Sequence, residues 1–187
     1  MIYECDRGGK GVMSKIKNDG FSLVELIIVV AIMAILLAVL APQYLKYVEK
    51  SGNATDLENA RAVVNALEMY TVDPDVHDTV PTHYETVTVF AKNDNANRDP
   101  RVDQYATRAL AAVKLDSLKL RTQSKINWET WSVHYMSDGN GGILFGYSQT
   151  GETPAGMKSF AEQMEAVAPA SFDVDDRTGN ITMRPGK

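Results

Sequence analysis

The residues that could perform chemistry in this chain are mainly acids and histidines. Six of them fall within thirteen positions: Asp73, Asp75, His77, Asp78, His83 and Glu85. Carboxylate and imidazole groups can bind a divalent cation, but these six lack the close spacing of a metal site. Pro74 and Pro81 interrupt the cluster, which favours a solvated loop. We therefore predict a loop here and no metal site.

Other polar groups have simpler structural interpretations. The sequence DGNGG (Asp138–Gly142) lacks the distal glutamate of a calcium loop and predicts a hairpin turn. Asp173, Asp175 and Asp176 fall in a second predicted turn, which we expect to be exposed. His134 lies in a predicted strand without a nearby cysteine or acid, so we expect it to be a packed residue. No spacing of Ser, His and Asp matches a nucleophile elbow, so we predict neither a catalytic site nor a cofactor.

One carboxylate stands inside a long apolar segment. Phe21–Ala41 has 19 apolar residues among 21, and the exceptions are Ser22 and Glu25. As a helix this segment would be about 31 Å long, enough to cross the hydrocarbon core of a bilayer. An ionised carboxylate in that environment is costly unless it is paired or protonated. The pattern therefore predicts a specific partner for Glu25.

The segment before the apolar run is short and basic. It reads MSKIKNDG (Met13–Gly20), and no A-x-A cleavage site follows the apolar run, so the run is predicted to be retained. Lys15 and Lys17 stand just before it. They favour a cytoplasmic N-terminus and a C-terminus outside the cell membrane.

The sequence GFSLVEL (Gly20–Leu26) closely resembles the processing site of type IV prepilins. In that family a membrane prepilin peptidase cuts after the glycine and N-methylates the new first residue, and a glutamate stands at the fifth mature position. The resemblance, which extends from Met13 to about Tyr70, implies cleavage between Gly20 and Phe21 and N-methylation of Phe21. It also implies an assembly role for Glu25, whose carboxylate would meet the Phe21 amine of a neighbouring subunit. Such a pair would fix the axial register of otherwise smooth apolar helices.

The resemblance makes residues 1–20 a leader, although leaders in this family are commonly shorter. The codons of Gly8 and Gly9 can spell a bacterial ribosome-binding sequence at a suitable distance before Met13. We therefore predict that translation starts at Met13, with a genuine longer leader as the alternative. The single cysteine, Cys5, would then be absent from the protein, and in either case the part after the leader contains no disulfide.

The long helix is predicted to continue beyond the apolar segment. Apolar residues recur at three- and four-residue steps as far as Tyr70, while polar residues such as Asp56 fall between them. Pro42 should kink the helix, Gly52 should mark a bend or local melting, and the Asp-Pro pair at 73–74 should end it. This gives a helix over residues 21–72, whose part 21–41 is the transmembrane or filament-core half, and a globular head over residues 73–187.

The head is predicted to alternate strands and short helices. Strands are expected at 84–90, 126–136 and 143–148, helices at 102–120 and 153–167, a loop at 92–100, and a final hairpin from 171–174 and 180–183. Trp128 and Trp131 have opposite parity in their predicted strand and should pack rather than form a stacking platform. The pattern alone indicates an α+β domain. The resemblance implies the pilin fold, in which an antiparallel sheet covers the outer half of the long helix.

The net charge of −5 argues against a general nucleic-acid binder, and no direct nucleic-acid binding is expected. The resemblance implies a structural subunit of a type IV pilus-like filament, located in the cytoplasmic (inner) membrane before assembly and in a cell-surface pilus afterwards. The implied partners are other copies of the subunit, prepilin peptidase, a platform protein and an ATPase motor, and the implied outputs are adhesion, motility or DNA uptake. The alternatives are a type II secretion pseudopilin, a minor pilin with a ligand site, and a membrane-anchored binding or enzymatic domain that is never cleaved.

Overall fold

The computed structural model of the chain describes residues 21–90, 102–115, 122–124, 126–175, 178 and 180–185. The elements along the chain are α1 (Leu23–Val72), β1 (Glu85–Val89), α2 (Gln104–Ala112), β2 (Thr130–Ser137), β3 (Ile143–Thr150), α3 (Phe160–Met164), β4 (Phe172–Val174) and β5 (Ile181–Met183). A long N-terminal helix packed on a small antiparallel sheet is an α+β pilin fold, so the predicted fold class is confirmed. The chain divides into two compact units, residues 1–42 and 43–187.

The described part of the first unit is the apolar start of α1. Within the described part of the chain, one helix is both long enough and apolar enough to cross a membrane, and this helix is α1. None of its most apolar stretch is buried in the protein. Helical structure continues through Pro42. A kink at that proline stays a prediction.

The second unit is built on the C-terminal half of α1. Ala60, Val63, Val64 and Leu67 recur at three- and four-residue steps and are buried in one core with the sheet. The sheet has the order β1-β2-β3 with antiparallel pairing, and a separate two-stranded sheet is formed by β4 and β5. The predicted final hairpin is confirmed. The predicted apolar face of the long helix is confirmed over residues 57–70, whereas the apolar residues at 44, 47 and 48 that continue the pattern are exposed.

The register of the sheet places one face toward the helix. Val87, Val133 and Tyr147 are paired across the three strands, and all three are buried. Alternate residues of each strand point to opposite faces, so this row fixes which residues face the core. The remaining core residues from the strands and short helices are Val89, Tyr105, Ala106, Ala109, Leu110, Trp131, Tyr135, Phe145, Phe160 and Met164.

The two short helices are smaller than the sequence predicted. α2 starts after Asp103, whose carboxylate accepts the backbone N–H groups of Tyr105 and Ala106, and it ends at Ala112. The left-handed backbone of Lys114 (φ 61°) is incompatible with a continuing helix. The prediction of a helix over 102–120 was therefore too long, although residues 116–120 lie outside the described residues, as does the predicted loop over 92–100.

The prediction of a helix over 153–167 was also wrong in extent. Gly156 has a φ of +82°, which interrupts helical structure before the true start. Ser159 and Glu162 form a capping box that begins α3 at Phe160. The ring of Phe160 then lies 5.6 Å from Trp128 and 5.5 Å from Trp131, measured between ring centroids. The predicted packing role of both tryptophans is confirmed, because they share Phe160 as a neighbour.

Gly52 does not melt the helix, which contradicts one part of the sequence prediction, and a bend at Gly52 stays a prediction. α1 continues through it, and a Cβ placed there would lie 2.7 Å from the backbone carbonyl oxygen of Gln123. The glycine is needed because another part of the chain approaches the helix backbone closely.

Gly52→Ala is expected to destabilise the second unit by up to about 2 kcal/mol, because an overpacking cost of about 1–3 kcal/mol outweighs the gain of about 1 kcal/mol in helix propensity. Urea denaturation of the full chain in detergent measures the change. Ser51→Ala, at an exposed neighbouring position of α1, is the matched control and should be neutral or slightly stabilising. Equal effects of the two substitutions would contradict the close-approach explanation.

His134 is a packed residue, as predicted. It is 6% exposed, its Nδ1 lies 2.8 Å from the Thr86 hydroxyl, and its Nε2 lies 2.8 Å from the Ser148 hydroxyl. Burial lowers the pKa of His134 from 6.5 to about 4. The neutral imidazole is therefore the form that the folded protein holds at pH 7.

This burial predicts a pH dependence of stability. The pKa of His134 is lower in the folded protein than in the unfolded chain. The contribution of this neutral ring to the free energy of unfolding is therefore complete above pH 6.5 and is lost as the pH falls from 6.5 through about 4. The total is about 3 kcal/mol, since each unit of pKa shift corresponds to about 1.4 kcal/mol. Urea denaturation between pH 4 and 7 should show this slope in the parent chain and in His83→Gln, whose site is exposed, but not in His134→Gln. An NMR titration of the His134 ring above pH 6 would contradict it.

Candidate functional site

The N-terminal site described by the structure consists of Phe21, Ser22 and Glu25, while Gly20 lies outside the described residues. Phe21 is 90% exposed. The backbone carbonyl of Ser22 accepts the N–H of Leu26 (3.2 Å), which makes Ser22 the residue that caps the start of α1. The Ser22 backbone N–H in turn donates to Glu25 Oε2 (2.9 Å).

Glu25 therefore has a local partner that the sequence analysis did not identify. It is the third helical residue, and its bond to the backbone N–H of Ser22 is one half of a capping box. A carboxylate in the first turn also interacts favourably with the helix dipole. Within one chain, Glu25 stabilises the start of the apolar helix. The hydrogen bond also holds the Glu25 carboxylate at the backbone of Ser22, the residue that follows Phe21.

The acidic and histidine cluster after α1 is a loop, as predicted up to the start of β1. Asp78 accepts hydrogen bonds from Tyr70 Oη (2.6 Å) and Arg108 Nη1 (2.5 Å), and these donors hold the pKa of Asp78 below its usual value. His83 Nε2 lies 2.6 Å from Glu85 Oε1. In the described ranges no group of three or more acids, histidines and cysteines is arranged to hold a metal ion. The loop is instead fastened to α1 and α2 through Asp78.

The other acidic turns also serve the fold. Asp138 Oδ1 accepts the backbone N–H groups of Asn140 (2.7 Å) and Gly142 (2.8 Å), which closes the predicted hairpin turn. In the last hairpin, Arg184 Nε donates to both carboxylate oxygens of Asp173 (3.0 Å each). Asp176 lies outside the described residues.

A buried polar site of the second unit was missed by the sequence analysis. Asp56 is fully buried and Glu49 is 5% exposed, and both lie on the face of α1 that packs inside the unit. They accept hydrogen bonds from residues 123, 124 and 126–128 of segment 122–128, and we call this set of contacts the helix–loop junction. The prediction that Asp56 belongs to the polar side of the helix was wrong.

Asp56 accepts three hydrogen bonds in the helix–loop junction. The donors are the backbone N–H groups of Gln123 (2.7 Å) and Ser124 (2.9 Å) and the indole N–H of Trp128 (2.9 Å). Burial raises the pKa of Asp56, and the bonds from Gln123 and Ser124 oppose that shift. Three donors converge on one carboxylate and offset part of the loss of water around it.

Glu49 binds the adjoining part of the same segment. Its Oε1 accepts from the Ser124 hydroxyl (2.7 Å) and from the backbone N–H groups of Ile126 (3.1 Å) and Asn127 (3.2 Å). These contacts hold residues 126–129 outside the strand ladder. β2 consequently starts at Thr130, four residues later than predicted.

A signal for the helix–loop junction was present in the sequence. The buried positions of α1 run from Leu67 back through Val63 and Ala60 to Asp56, and further back to Glu49. The three- and four-residue steps of the apolar face therefore lead directly to these carboxylates. Extending the period without regard to polarity would have placed both acids in the packed face.

Comparison with known proteins locates a family signature at the N-terminus. Residues 15–41 match the family described as the prokaryotic N-terminal methylation motif. This range contains the three described site residues of the N-terminus, and also Gly20. A match over a short N-terminal segment identifies the processing motif rather than the whole chain.

Relatives extend the similarity into the second unit. Prepilin peptidase-dependent protein A of Clostridium perfringens is 34% identical over 92 residues, which cover 49% of this chain and 61% of that protein. Type II secretion system core protein G of Aeromonas hydrophila is 28% identical over 89 residues, with 48% and 60% covered. The protein of the same name from Vibrio cholerae is 32% identical over 77 residues, with 41% and 53% covered.

The chain thus spans between 53% and 61% of the length of these relatives. No solved structure is significantly similar to it. The shared part is longer than the methylation motif, and the names of the relatives refer to prepilin peptidase and to type II secretion.

Proposed function

We propose that this chain is a structural subunit of a type IV pilus-like filament, because the methylation motif and the relatives support its membership of the type IV pilin and pseudopilin family. The family consists of structural subunits rather than enzymes. The observation that carries the proposal is the methylation motif over residues 15–41 at the start of an apolar helix. The proposed outputs of the filament are adhesion, motility or DNA uptake.

The proposed processing is cleavage after Gly20 followed by N-methylation of Phe21. The name of the Clostridium relative, a prepilin peptidase-dependent protein, supports this step. Glycine leaves the backbone accessible to a protease because it has no side chain. Residues 1–20 would then be the leader, with Met13 as the proposed start, residues 21–72 the long helix and residues 73–187 the head.

The proposed assembly path begins in the bilayer. The apolar helix together with the methylation motif indicates membrane anchoring, and we propose that the head lies outside the membrane. Moving from lipid into a packed filament core keeps the exposed apolar side chains of Phe21–Ala41 away from water throughout. A platform protein and an ATPase motor would drive this transfer, and Glu25 would set the register by pairing with the Phe21 amine of a neighbouring copy.

The second candidate is a pseudopilin of a type II secretion system. The two relatives named type II secretion system core protein G favour it. The two candidates share processing and helix packing but differ in the polymer that forms. A filament that extends beyond the cell surface at native expression supports the pilus, and a polymer that is confined beneath the surface supports the pseudopilin.

Intact mass spectrometry of protein sheared from the cell surface tests the proposal. The expected product starts at Phe21 and carries one added methyl group. Gly20→Ala is expected to reduce the cleaved fraction by at least about tenfold, because a methyl group at the cleavage position obstructs the extended backbone in the protease. Asp19→Asn, one position earlier, is the matched control and should be cleaved normally.

A chain that remains in the membrane with Met13–Gly20 attached would contradict the proposal. It would instead indicate that the apolar helix is a permanent anchor for a binding domain. Cleavage without any polymer, in either the surface or the membrane fraction, would also contradict the structural role.

A further inference from the structure

A groove of about 390 Å³ lies on the second unit, at the start of its part of α1. All of its lining residues belong to that unit. Its lining includes Leu45, Lys46 and Lys50 of α1, and Ile126, Met157 and Lys158 from later in the chain. The helix–loop junction positions Ile126 through its bond to Glu49.

The groove carries a positive charge on a chain whose net charge is −5. Lys46, Lys50 and Lys158 are all exposed along its edge. Among its lining residues the carboxylate is that of Glu49, which is buried and accepts three hydrogen bonds from segment 124–127. Lys46 and Lys50 are four residues apart on a helix and therefore lie on the same face. The groove is thus suited to an anionic ligand.

The same groove has an exposed apolar surface. Leu45 is 61% exposed, Ile126 54% and Met157 45%. Lysine side chains lay their aliphatic stems along apolar surface and place the ammonium group in a polar layer. A ligand that combines a negative group with adjacent hydrocarbon would satisfy both the lysines and the apolar side chains.

The position of the groove in the chain selects the bilayer as the source of this ligand. Lys46 is four residues after Pro42, so it lies at most about 14 Å from that residue even if the connection were fully extended. The polar headgroup layer adds roughly 5–8 Å to each side of the hydrocarbon core. While Phe21–Ala41 spans the membrane, Lys46 is therefore within reach of the lipid phosphates.

We propose that this groove binds the headgroup of an anionic phospholipid while the subunit is anchored in the bilayer. The lysines contact the phosphate, and Leu45, Ile126 and Met157 contact the first carbons of the acyl chains. The inference rests on the membrane stage of the proposed function. It assigns to the groove of the second unit a lipid that must be released when the subunit leaves the bilayer.

The test uses the full chain reconstituted in nanodiscs. One set contains phosphatidylcholine only, and the other contains phosphatidylcholine with phosphatidylglycerol, each with a trace of the corresponding lipid carrying a photoreactive headgroup. After illumination, labelled peptides are mapped by mass spectrometry. The variant Lys46→Gln/Lys50→Gln/Lys158→Gln removes the three charges, and Arg61→Gln removes one charge from an exposed position farther along α1.

The expected result is phosphatidylglycerol labelling on peptides that contain Leu45–Lys50 or Met157–Lys158, with much less labelling by phosphatidylcholine. Phosphatidylglycerol labelling of the triple variant should be about tenfold lower than that of the parent chain, and labelling of Arg61→Gln should be unchanged. Equal labelling by both lipids, or labelling that the triple variant retains, would overturn the inference. Crosslinks from the groove to a second copy of the chain would overturn it in favour of a subunit contact.

Resistance to carbonate extraction separates this inference from the proposed function. A chain that is inserted but shows no preference for phosphatidylglycerol removes the lipid site and leaves the filament role intact. A chain that does not insert at all contradicts the membrane stage itself and therefore both proposals. Circular dichroism of the triple variant checks that the exposed substitutions leave the fold unchanged.

Discussion

Asp56→Ala is expected to lower the free energy of unfolding of the second unit by about 3–5 kcal/mol. The substitution removes the acceptor of the backbone N–H groups of Gln123 and Ser124 and of the indole N–H of Trp128. Ser124 and Trp128 are buried, so their donors cannot regain water without opening the helix–loop junction. The loss is therefore larger than the net value of about 1 kcal/mol for an ordinary hydrogen bond.

Urea denaturation of the full chain in detergent, followed by tryptophan fluorescence, measures this change. Glu58→Ala is the matched control, because Glu58 is an exposed acid two residues away on the same helix and should change stability by less than about 0.5 kcal/mol. Asp56→Asn should also destabilise, since its amide N–H₂ would face N–H donors. If Asp56→Ala were as mild as Glu58→Ala, the helix–loop junction would not hold segment 122–128 in solution.

The parts of the fold that sequence periodicity predicted are those in which local pattern and packing agree. Leu67 and its preceding apolar neighbours recur with the period of a helix, and Val87 and Val133 alternate with polar residues as a half-buried strand requires. Each pattern requires only that one face be apolar. The α+β class could therefore be predicted from these patterns before the partners of any one residue were known, whereas the pilin fold was implied by the resemblance of the N-terminal motif.

The errors arise where tertiary contacts or backbone conformation override local pattern. The roles of Asp56 and Gly52 depend on the packing of segment 122–128 against α1. That segment supplies the N–H donors that bind Asp56 and the backbone carbonyl that leaves no room for a side chain at Gly52. The late start of α3 had a local signal in Ser159 and Glu162, which the apolar spacing across Gly156 obscured. Polarity alone is thus a poor guide to burial when a second chain segment brings its own backbone donors.

At the N-terminal site, the local sequence was more informative than in the helix–loop junction. A peptidase recognises a short stretch of sequence, so Gly20 and Phe21 could be proposed as a cleavage site without a structure. The backbone bond from Ser22 to Glu25 could not, because it depends on α1 beginning at Leu23. The structure thereby adds a second explanation for Glu25, namely capping of its own helix, which must be separated from subunit registration.

Glu25→Gln is the substitution that separates the two explanations. Glutamine at the third helical position can still accept the Ser22 N–H, so the capping bond is preserved, but the negative charge is lost. If Glu25 pairs with the Phe21 amine of a neighbouring subunit, both Glu25→Gln and Glu25→Ala should be cleaved normally and yet reduce the filament yield by at least about tenfold. Losing one partner of a buried charge pair costs about 2–5 kcal/mol, and 1.4 kcal/mol already corresponds to a factor of ten.

The amount of subunit in the sheared surface fraction measures the filament yield. The intact mass of the subunit in the membrane fraction shows whether it was cleaved. Glu58→Gln makes the same chemical change at an exposed site of α1 and should leave the filament yield unchanged. Normal filaments from Glu25→Gln together with few from Glu25→Ala would assign Glu25 to helix capping. Normal filaments from both variants would contradict any assembly role for the one carboxylate in the apolar segment, because neither the charge nor the capping bond would then be required.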